Sequence, residues 1–137
     1  MTFVISRAGE DSVDISRQQA VDVLHKWQDE RRLVQGGILQ SNDGATSGFL
    51  GRIERLDNSS LAIDARSLFM LGDRCGLTLP LPEAGYSYSD WRDASGDQRD
   101  RLPHGYDSAL FIVIAPGWHI ELYAAKLASG NINDSVR

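Results

Sequence analysis

The apolar and polar positions divide the chain into one helix followed by a series of short strands. Ser16 and Gln19 fit a capping box, in which each side chain satisfies a free backbone donor of the other residue. A helix is predicted over residues 15–32, and Gly36-Gly37 are expected to stop it soon afterwards. Its apolar stripe consists of four side chains at helical spacing, Ala20, Val23, Leu24 and Trp27.

After the helix, short apolar runs alternate with turn residues, which is typical of antiparallel β-structure. Turns are predicted at residues 42–44 and 57–60, and at Pro116-Gly117, whose residues suit a type II turn. The continuous apolar run at residues 110–115 predicts a central strand that is covered on both faces.

One further stretch looks less regular. Residues 76–88 contain two prolines that cannot donate to a ladder, so this stretch is expected to form an edge strand or an extended loop.

The predicted fold class is α+β, mostly β, in one domain. Its parts are an arm at 1–14, the helix at 15–32, a β barrel at 33–125 with a long polar loop at 89–107, and a tail at 126–137.

Four stretches follow one another in the motif order of a known family. They are "ILQSNDG", Gly51-x-Ile53-x-x-Leu56-Asp57, Leu61-x-Ile63-Asp64, and "IVIAPGWHIELY" with its Gly117, Ile120 and Tyr123. Together with the leading helix, this order resembles the Sm-like family, whose fold is a small, strongly bent β barrel of about five strands. The resemblance implies such a barrel here and self-association through strand edges. It also implies that the loops at 57–60 and 115–119 share one rim and contact a ligand.

The chain departs from the Sm-like pattern at positions that bear on the ligand. Ser60 stands where the family has the Asn that helps to hold a nucleobase, and Pro116 replaces the usual arginine. The formal net charge is -5, whereas binding to phosphates needs clustered Lys and Arg. RNA is therefore a disfavoured partner.

A small set of arginines is the remaining basis for nucleic-acid binding. Arg52 and Arg55 are expected on opposite faces of a strand, which weakens a shared patch. Trp118 is expected in the core rather than as a platform for base stacking. The candidate arginines are Arg31, Arg32, Arg52 and Arg55.

Composition sets the class of protein. No apolar run approaches the roughly 20 residues that a membrane span needs. The start of the chain is too acidic and its apolar run too short for a secretory signal. The single cysteine, Cys75, allows no intramolecular disulfide. A cytoplasmic protein that does not bind membranes is therefore expected.

The sequence contains no recognisable catalytic or metal motif. Cys75 has no histidine in a recognisable relation to it, so it is expected to be a packing residue. Asp93-x-Ser95-x-Asp97 has the spacing of a calcium loop, but Gln98 and His104 stand where the loop needs Gly and Glu. We therefore predict no catalytic residue, no metal and no cofactor.

One polar constellation stands out. In the strand after Pro116-Gly117, alternation places His119, Glu121 and Tyr123 on one wet face, where a carboxylate can orient an imidazole. Together with the two loops, this face gives the predicted binding residues: Asp57, Asn58, Ser59, Gly117, Trp118, His119, Glu121 and Tyr123.

Three functions follow from these observations. The first is a non-catalytic binding or assembly module that forms a homo-oligomer and holds a protein or small-molecule ligand. The second is a small enzyme that uses the face of His119 and Glu121. The third is an acidic partner-binding protein, of the inhibitor or immunity type, whose loop with Asp93, Asp97 and Asp100 meets a basic target.

Overall fold

The computed structural model of the chain describes residues 12–40, 44–67, 74–92 and 105–126. In chain order the elements are β1 (Val13–Ile15), α1 (Arg17–Asp29), β2 (Val34–Gln40), β3 (Gly44–Leu56), β4 (Ser60–Ser67), β5 (Arg74–Pro80), β6 (Tyr86–Asp90), β7 (Tyr106–Ala115) and β8 (Trp118–Ala125). The strands form one open antiparallel sheet in the order β1-β6-β7-β8-β2-β3-β4-β5. Among these residues, no helix combines the length and the apolar character that crossing a membrane requires.

The expectation of a five-stranded Sm-like barrel at 33–125 is wrong. The sheet is open and has eight strands, and β1 precedes the helix, where it overlaps the end of the predicted arm at 1–14 and the first residue of the predicted helix. The sequence pattern misses β1 and β6 because both are short and they pair with each other, Val13 lying opposite Tyr88. Pairing between strands so far apart in sequence leaves little local signal. The mostly β character is confirmed.

The stretch at 76–88, predicted to form an edge strand or an extended loop, is an edge strand only up to Pro80, and its last residues belong to β6, which lies between β1 and β7. β5, which ends at Pro80, is the last strand in the sheet order. Pro82 lies in the connection that follows, and the hydroxyl of Tyr86 donates to its carbonyl. The prolines therefore mark the edge of the sheet.

The connection between β5 and β6 forces the sheet to coil. The two strands are six places apart in the order, about 29 Å across a flat sheet. Only residues 81–85 join them, and the steps from Pro80 to Tyr86 span at most about 21 Å. The ends of the sheet must therefore approach each other. Arg17, just after β1, donates from Nη2 to the carbonyl of Leu81, just after β5, over 2.7 Å.

Coiling wraps the inner face of the sheet around the helix. The buried side chains of α1 are Ala20, Val21, Leu24 and Trp27. They belong to one cluster with apolar side chains from β2 through β8. Val23, the fourth member of the predicted stripe, is partly buried against this cluster. Burying a large apolar side chain contributes about 1.5–3 kcal/mol, so this layer is the main source of stability.

The predicted start of the helix is confirmed. The Ser16 hydroxyl accepts from the backbone N–H of Gln19 over 3.1 Å, and the Gln19 side chain accepts from the N–H of Ser16 over 2.8 Å. The helix ends at Asp29, a few residues short of the predicted boundary at residue 32. The capping box therefore fixes the first turn.

The predicted end of the helix is wrong, because Gly36-Gly37 lie within β2. The helix stops instead in a Schellman motif, in which the N–H of Arg31 donates to Gln28 and the N–H of Arg32 donates to Trp27. Arg31 takes the left-handed position of this motif, with φ of 55°.

Gly36 serves close packing between β2 and β3. A Cβ added at this position would lie 2.6 Å from Cζ of Phe49. Phe49, which lies opposite Gly36 in the register, fills that space with its ring and is buried. The glycine is therefore needed in the sheet rather than at the helix end.

A buried ion pair ties the end of the helix to the sheet. Nη1 of Arg32 donates to Asp107 on β7 over 2.9 Å and to the carbonyl of Ala125 over 2.8 Å, while Nε donates to Glu30 over 2.8 Å. Burial lowers the pKa of the Arg32 guanidinium, but the hydrogen bonds that it donates to Asp107 and Glu30 outweigh this effect, so the pKa is raised. The Ser108 hydroxyl also donates to Asp107.

Replacing Arg31 by glycine is expected to stabilise the protein by about 1 kcal/mol, because a left-handed conformation costs any residue with a Cβ about that much. The carbonyl of Arg31, which accepts from Arg52, is retained. Urea denaturation measures the change. Lys26→Gly in the interior of α1 is the control and should destabilise by about 1 kcal/mol. An Arg31→Gly variant less stable than the wild type would contradict the assignment.

Removing Asp107 is expected to cost about 3 kcal/mol, because Arg32 then keeps its charge in a buried site without its closest buried partner. Glu30→Ala removes the partly exposed partner and should cost about 1 kcal/mol or less. The free energies of unfolding of both variants decide the matter. Equal losses would show that Asp107 is no more important than a surface carboxylate.

Candidate functional site

Alternate residues of β8 point to opposite faces of the sheet, as predicted. Ile120 and Leu122 join the inner core, and His119, Glu121 and Tyr123 lie on the outer face. The expectation that this outer face is wet is wrong. Glu121 and Tyr123 are each only 6% exposed.

Aromatic rings close this part of the outer face. The ring centre of Tyr123 lies 5.9 Å from that of Tyr106, 6.0 Å from that of Phe111 and 6.4 Å from that of Trp91. The indole N–H of Trp91 donates to the carbonyl of Tyr106 over 2.9 Å. Trp91 and Tyr106 both come from the stretch 89–107, predicted to be a loop. Its described ends belong to the sheet and to this second cluster.

The carboxylate of Glu121 joins the three polar side chains of β8. Oε2 accepts from Nε2 of His119 over 2.6 Å, and Oε1 accepts from the Tyr123 hydroxyl over 3.3 Å. Burial, and then the charge of Glu121, raise the pKa of the Tyr123 phenol, so it stays a donor. With Glu121 as the acceptor, Nε2 is the donor of this contact, and Nδ1 makes no hydrogen bond to a described residue.

His119 is more exposed than Glu121, the residue that holds it. Its side chain is 29% exposed, against 7% for that of Glu121. Glu121 can therefore orient and polarise the imidazole from behind, while the ring edge faces solvent. Chemically, this arrangement can bind a hydrogen-bonding group or transfer a proton.

The hairpin between β7 and β8 carries apolar side chains into solvent. Residues 113–118 contain no polar side chain, and five of the six are exposed. Val113 is 54% exposed and Trp118 is 36% exposed. The only other large apolar side chain exposed among the described residues is Val13. We call residues 113–118 the apolar tip.

The apolar tip is exposed because its neighbouring strand ends. The first residue of β6, Tyr86, lies opposite Ile112, and Gly85 accepts one more bond from the N–H of Val113 over 2.8 Å. The prediction of a strand covered on both faces is therefore correct only up to Ile112. The expectation that Trp118 lies in the core is also wrong. The sequence feature that could have indicated an exposed tip is the Pro116-Gly117 turn, which lies inside an unbroken apolar run.

The turn at residues 57–60 is confirmed, and its carboxylate is used internally. Oδ1 of Asp57 accepts from the N–H groups of Ser59 and Ser60, each over 2.8 Å, and from the Ser59 hydroxyl over 3.0 Å. Asn58 and Ser59 are exposed. Asp57 therefore shapes the turn and offers little to a ligand.

The two predicted binding loops do not share a rim. Gln40 lies opposite both Gly44, the first residue of β3, and Trp118 at the apolar tip. Residues 57–59 follow Leu56, the last residue of β3. The thirteen residues of β3 separate the two loops, roughly 40 Å of strand.

The arginines are also arranged differently from the prediction. A register shift just before Arg55 places it opposite Ala62, while Arg52 lies opposite Asp64, so both arginines share one face. Arg32 is buried in its ion pair and cannot reach a phosphate. Arg32 is therefore excluded from the set proposed for nucleic acid, whereas the Arg52 side chain reaches the carbonyl of Arg31.

Some predicted features fall beyond what the structure describes. Asp93, Ser95, Asp97, Asp100 and His104 lie outside the described residues, and so does the side chain of Cys75. Within the described ranges, no group of three or more His, Cys, Asp or Glu side chains is placed to hold a metal ion. The hypothesis of an acidic loop that meets a basic target stays a prediction.

Comparison of the chain with models of protein families, with curated proteins and with solved structures found no match. Function is therefore inferred from the geometry alone.

The turn at Asp57 should give a pH-dependent contribution to stability. Hydrogen bonds from the N–H and hydroxyl of Ser59, and then from Ser60, lower the pKa of Asp57 in the folded chain. The carboxylate therefore stabilises the fold above the unfolded pKa of about 3.9, and this stabilisation is lost as pH falls through the folded pKa. Asp57→Ala should lower Tm at pH 7, with a smaller difference at pH 2.

Asp57→Asn is the matched control, because it keeps an acceptor oxygen but does not titrate in this range. The difference in Tm between this variant and wild type should also shrink on acidification. A difference that stayed constant from pH 7 to pH 2 would contradict the role given to the Asp57 carboxylate.

Proposed function

We propose that the protein is a non-catalytic binding module that holds a partner through its apolar tip. The exposure of Val113 and Trp118 on one hairpin is the observation that carries this proposal. No side chain at residues 113–118 is polar and five of the six residues are exposed, and exposed apolar surface of this kind is typical of interaction sites. Tryptophan is also enriched among the residues that supply most of the binding energy at interfaces.

The apolar tip is held ready for contact. Pro116 fixes its own φ, and Gly117 adopts the positive φ of 80° that the turn requires. Below the turn, Val113 lies opposite His119, whose ring is held by Glu121. A surface ordered in advance loses little conformational entropy when it binds.

The chemistry of the tip defines its partner. The tip has no charged side chain, so its contact is apolar, and His119 beside it adds one hydrogen-bonding group. The partner that fits is a protein or small molecule with an apolar surface next to one polar group. Residues 57–59 lie at the other end of β3 and are not part of this surface.

Replacing Trp118 by serine should weaken capture of the partner by roughly thirtyfold, because truncating such a residue costs about 2 kcal/mol. A photo-crosslinking amino acid at Ala115, which is exposed at the tip, identifies the partner, and titration of that partner gives Kd. Val13→Ser is the control, since Val13 is another exposed large apolar residue, 67% exposed, and lies on β1 away from the apolar tip.

The control variant should bind as the wild type does. The same crosslinker at Asn58, at the other end of β3, should give no adduct. Equal adducts from both positions, or equal losses for Trp118→Ser and Val13→Ser, would overturn the proposal.

A small acid–base enzyme is the second candidate, and the contact of His119 with Glu121 favours it. A carboxylate that holds one imidazole nitrogen leaves the other as a base at the surface. Activity that survives Trp118→Ser but is lost in both His119→Gln and Glu121→Gln would support this candidate over the first. Such variants are tested against a panel of ester, amide and phosphoester substrates.

A further inference from the structure

The backbone groups of β5 alternate between β4 and the free edge of the sheet. The N–H of Leu81 donates to the carbonyl of Ser59 over 2.9 Å, in register with the ladder between β4 and β5. Hydrogen-bonded pairs alternate along an antiparallel ladder, so odd-numbered residues of β5 bond to β4. The N–H and C=O groups of Arg74, Gly76 and Thr78 therefore point away from the sheet.

Pro80 supports this assignment. It is also even-numbered, so its missing N–H falls on the free edge, where the ladder with β4 loses no bond. A proline at an odd-numbered position of β5 would have cost such a bond. The position of Pro80 and the bond from Leu81 thus give the same orientation for the strand.

Between Arg74 and Pro80, the edge of β5 carries no bulge, charge or proline, and no described strand pairs with it. Its seven pairs with β4 show no register shift, and Gly76 and Thr78 are exposed. A Cβ added at Gly76 would meet nothing within 4 Å. Natural edges are commonly blocked by bulges, charges or short length. β1, the other outer strand, is only three residues long, so β5 is the edge that can pair.

We propose that β5 pairs antiparallel with β5 of a second copy of this chain, around a two-fold axis at Leu77. Gly76 of each copy then lies opposite Thr78 of the other copy, and each of these two pairs makes two hydrogen bonds. The N–H of Arg74 donates to the carbonyl of Pro80 on the other copy, also twice. The edge gains about six hydrogen bonds, and the two sheets become one.

The side chains of β5 favour a second copy over an unrelated strand. Leu77, which is only partly buried, meets its own copy at the axis and gains an apolar contact. Arg74, the only charged residue of β5, lies opposite Pro80 and not opposite itself. The edge is therefore self-complementary in hydrogen bonds and apolar contact, and the pairing places no like charges opposite each other.

Amide hydrogen exchange tests this pairing on the unmodified chain. The amides of Gly76 and Thr78 should exchange at least ~10-fold more slowly as the concentration rises through dimer formation. The amides of Leu77 and Leu79, which bond to β4, should be protected at every concentration. Light scattering should give a mass of twice 15.1 kDa in the concentrated sample.

Two variants of one residue provide the matched control. Thr78→Pro removes an edge N–H that makes no bond to β4, so it should leave a folded monomer. Thr78→Ala keeps that N–H and should remain a dimer. A monomeric wild type overturns the proposal, and so does a dimer whose Gly76 and Thr78 amides exchange freely. Pairing of β5 with some unrelated strand would leave the wild type monomeric. None of these results depends on the apolar tip.

Discussion

The structure depends on covering one helix from several sides with a single sheet. The apolar stripe of α1 is buried, and side chains from β2 through β8 join it in one cluster. A flat sheet cannot provide this cover, because the five residues after β5 must reach β6 near the other end of the order. Coiling satisfies the helix and the connection together.

Coiling also sets what remains for function. The inner face packs against the helix, and aromatic rings around Tyr123 cover part of the outer face. A buried carboxylate is costly unless it is hydrogen-bonded, and Glu121 is satisfied by His119 and Tyr123. Within the described part of the chain, the apolar tip, where β7 and β8 extend beyond β6, and the outer edge of β5 stay open to solvent.

Local chemistry could be predicted from sequence, whereas long-range pairing could not. The capping box of Ser16 and Gln19 and the turn at Pro116-Gly117 depend on residues a few positions apart, and both are confirmed. The contact of Arg32 with Asp107 joins residues that are 75 positions apart in the sequence, so no local pattern predicts it. The sequence predicted that His119, Glu121 and Tyr123 share one face. It did not predict that aromatic rings bury part of that face.

Irregular backbone explains the remaining errors. The register shift before Arg55 brings Arg52 and Arg55 to one face, although strict alternation separates them. Arg31 ends the helix in a conformation that usually belongs to glycine, so Gly36-Gly37 gave a false stop signal. The central claim, that the sheet coils until its ends approach each other, is tested by a spin-label distance between Asp14→Cys on β1 and Thr78→Cys on β5, in a Cys75→Ser chain diluted with unlabelled protein. Coiling predicts a distance within about 25 Å, and a distance near the roughly 34 Å of seven flat strand spacings would contradict it.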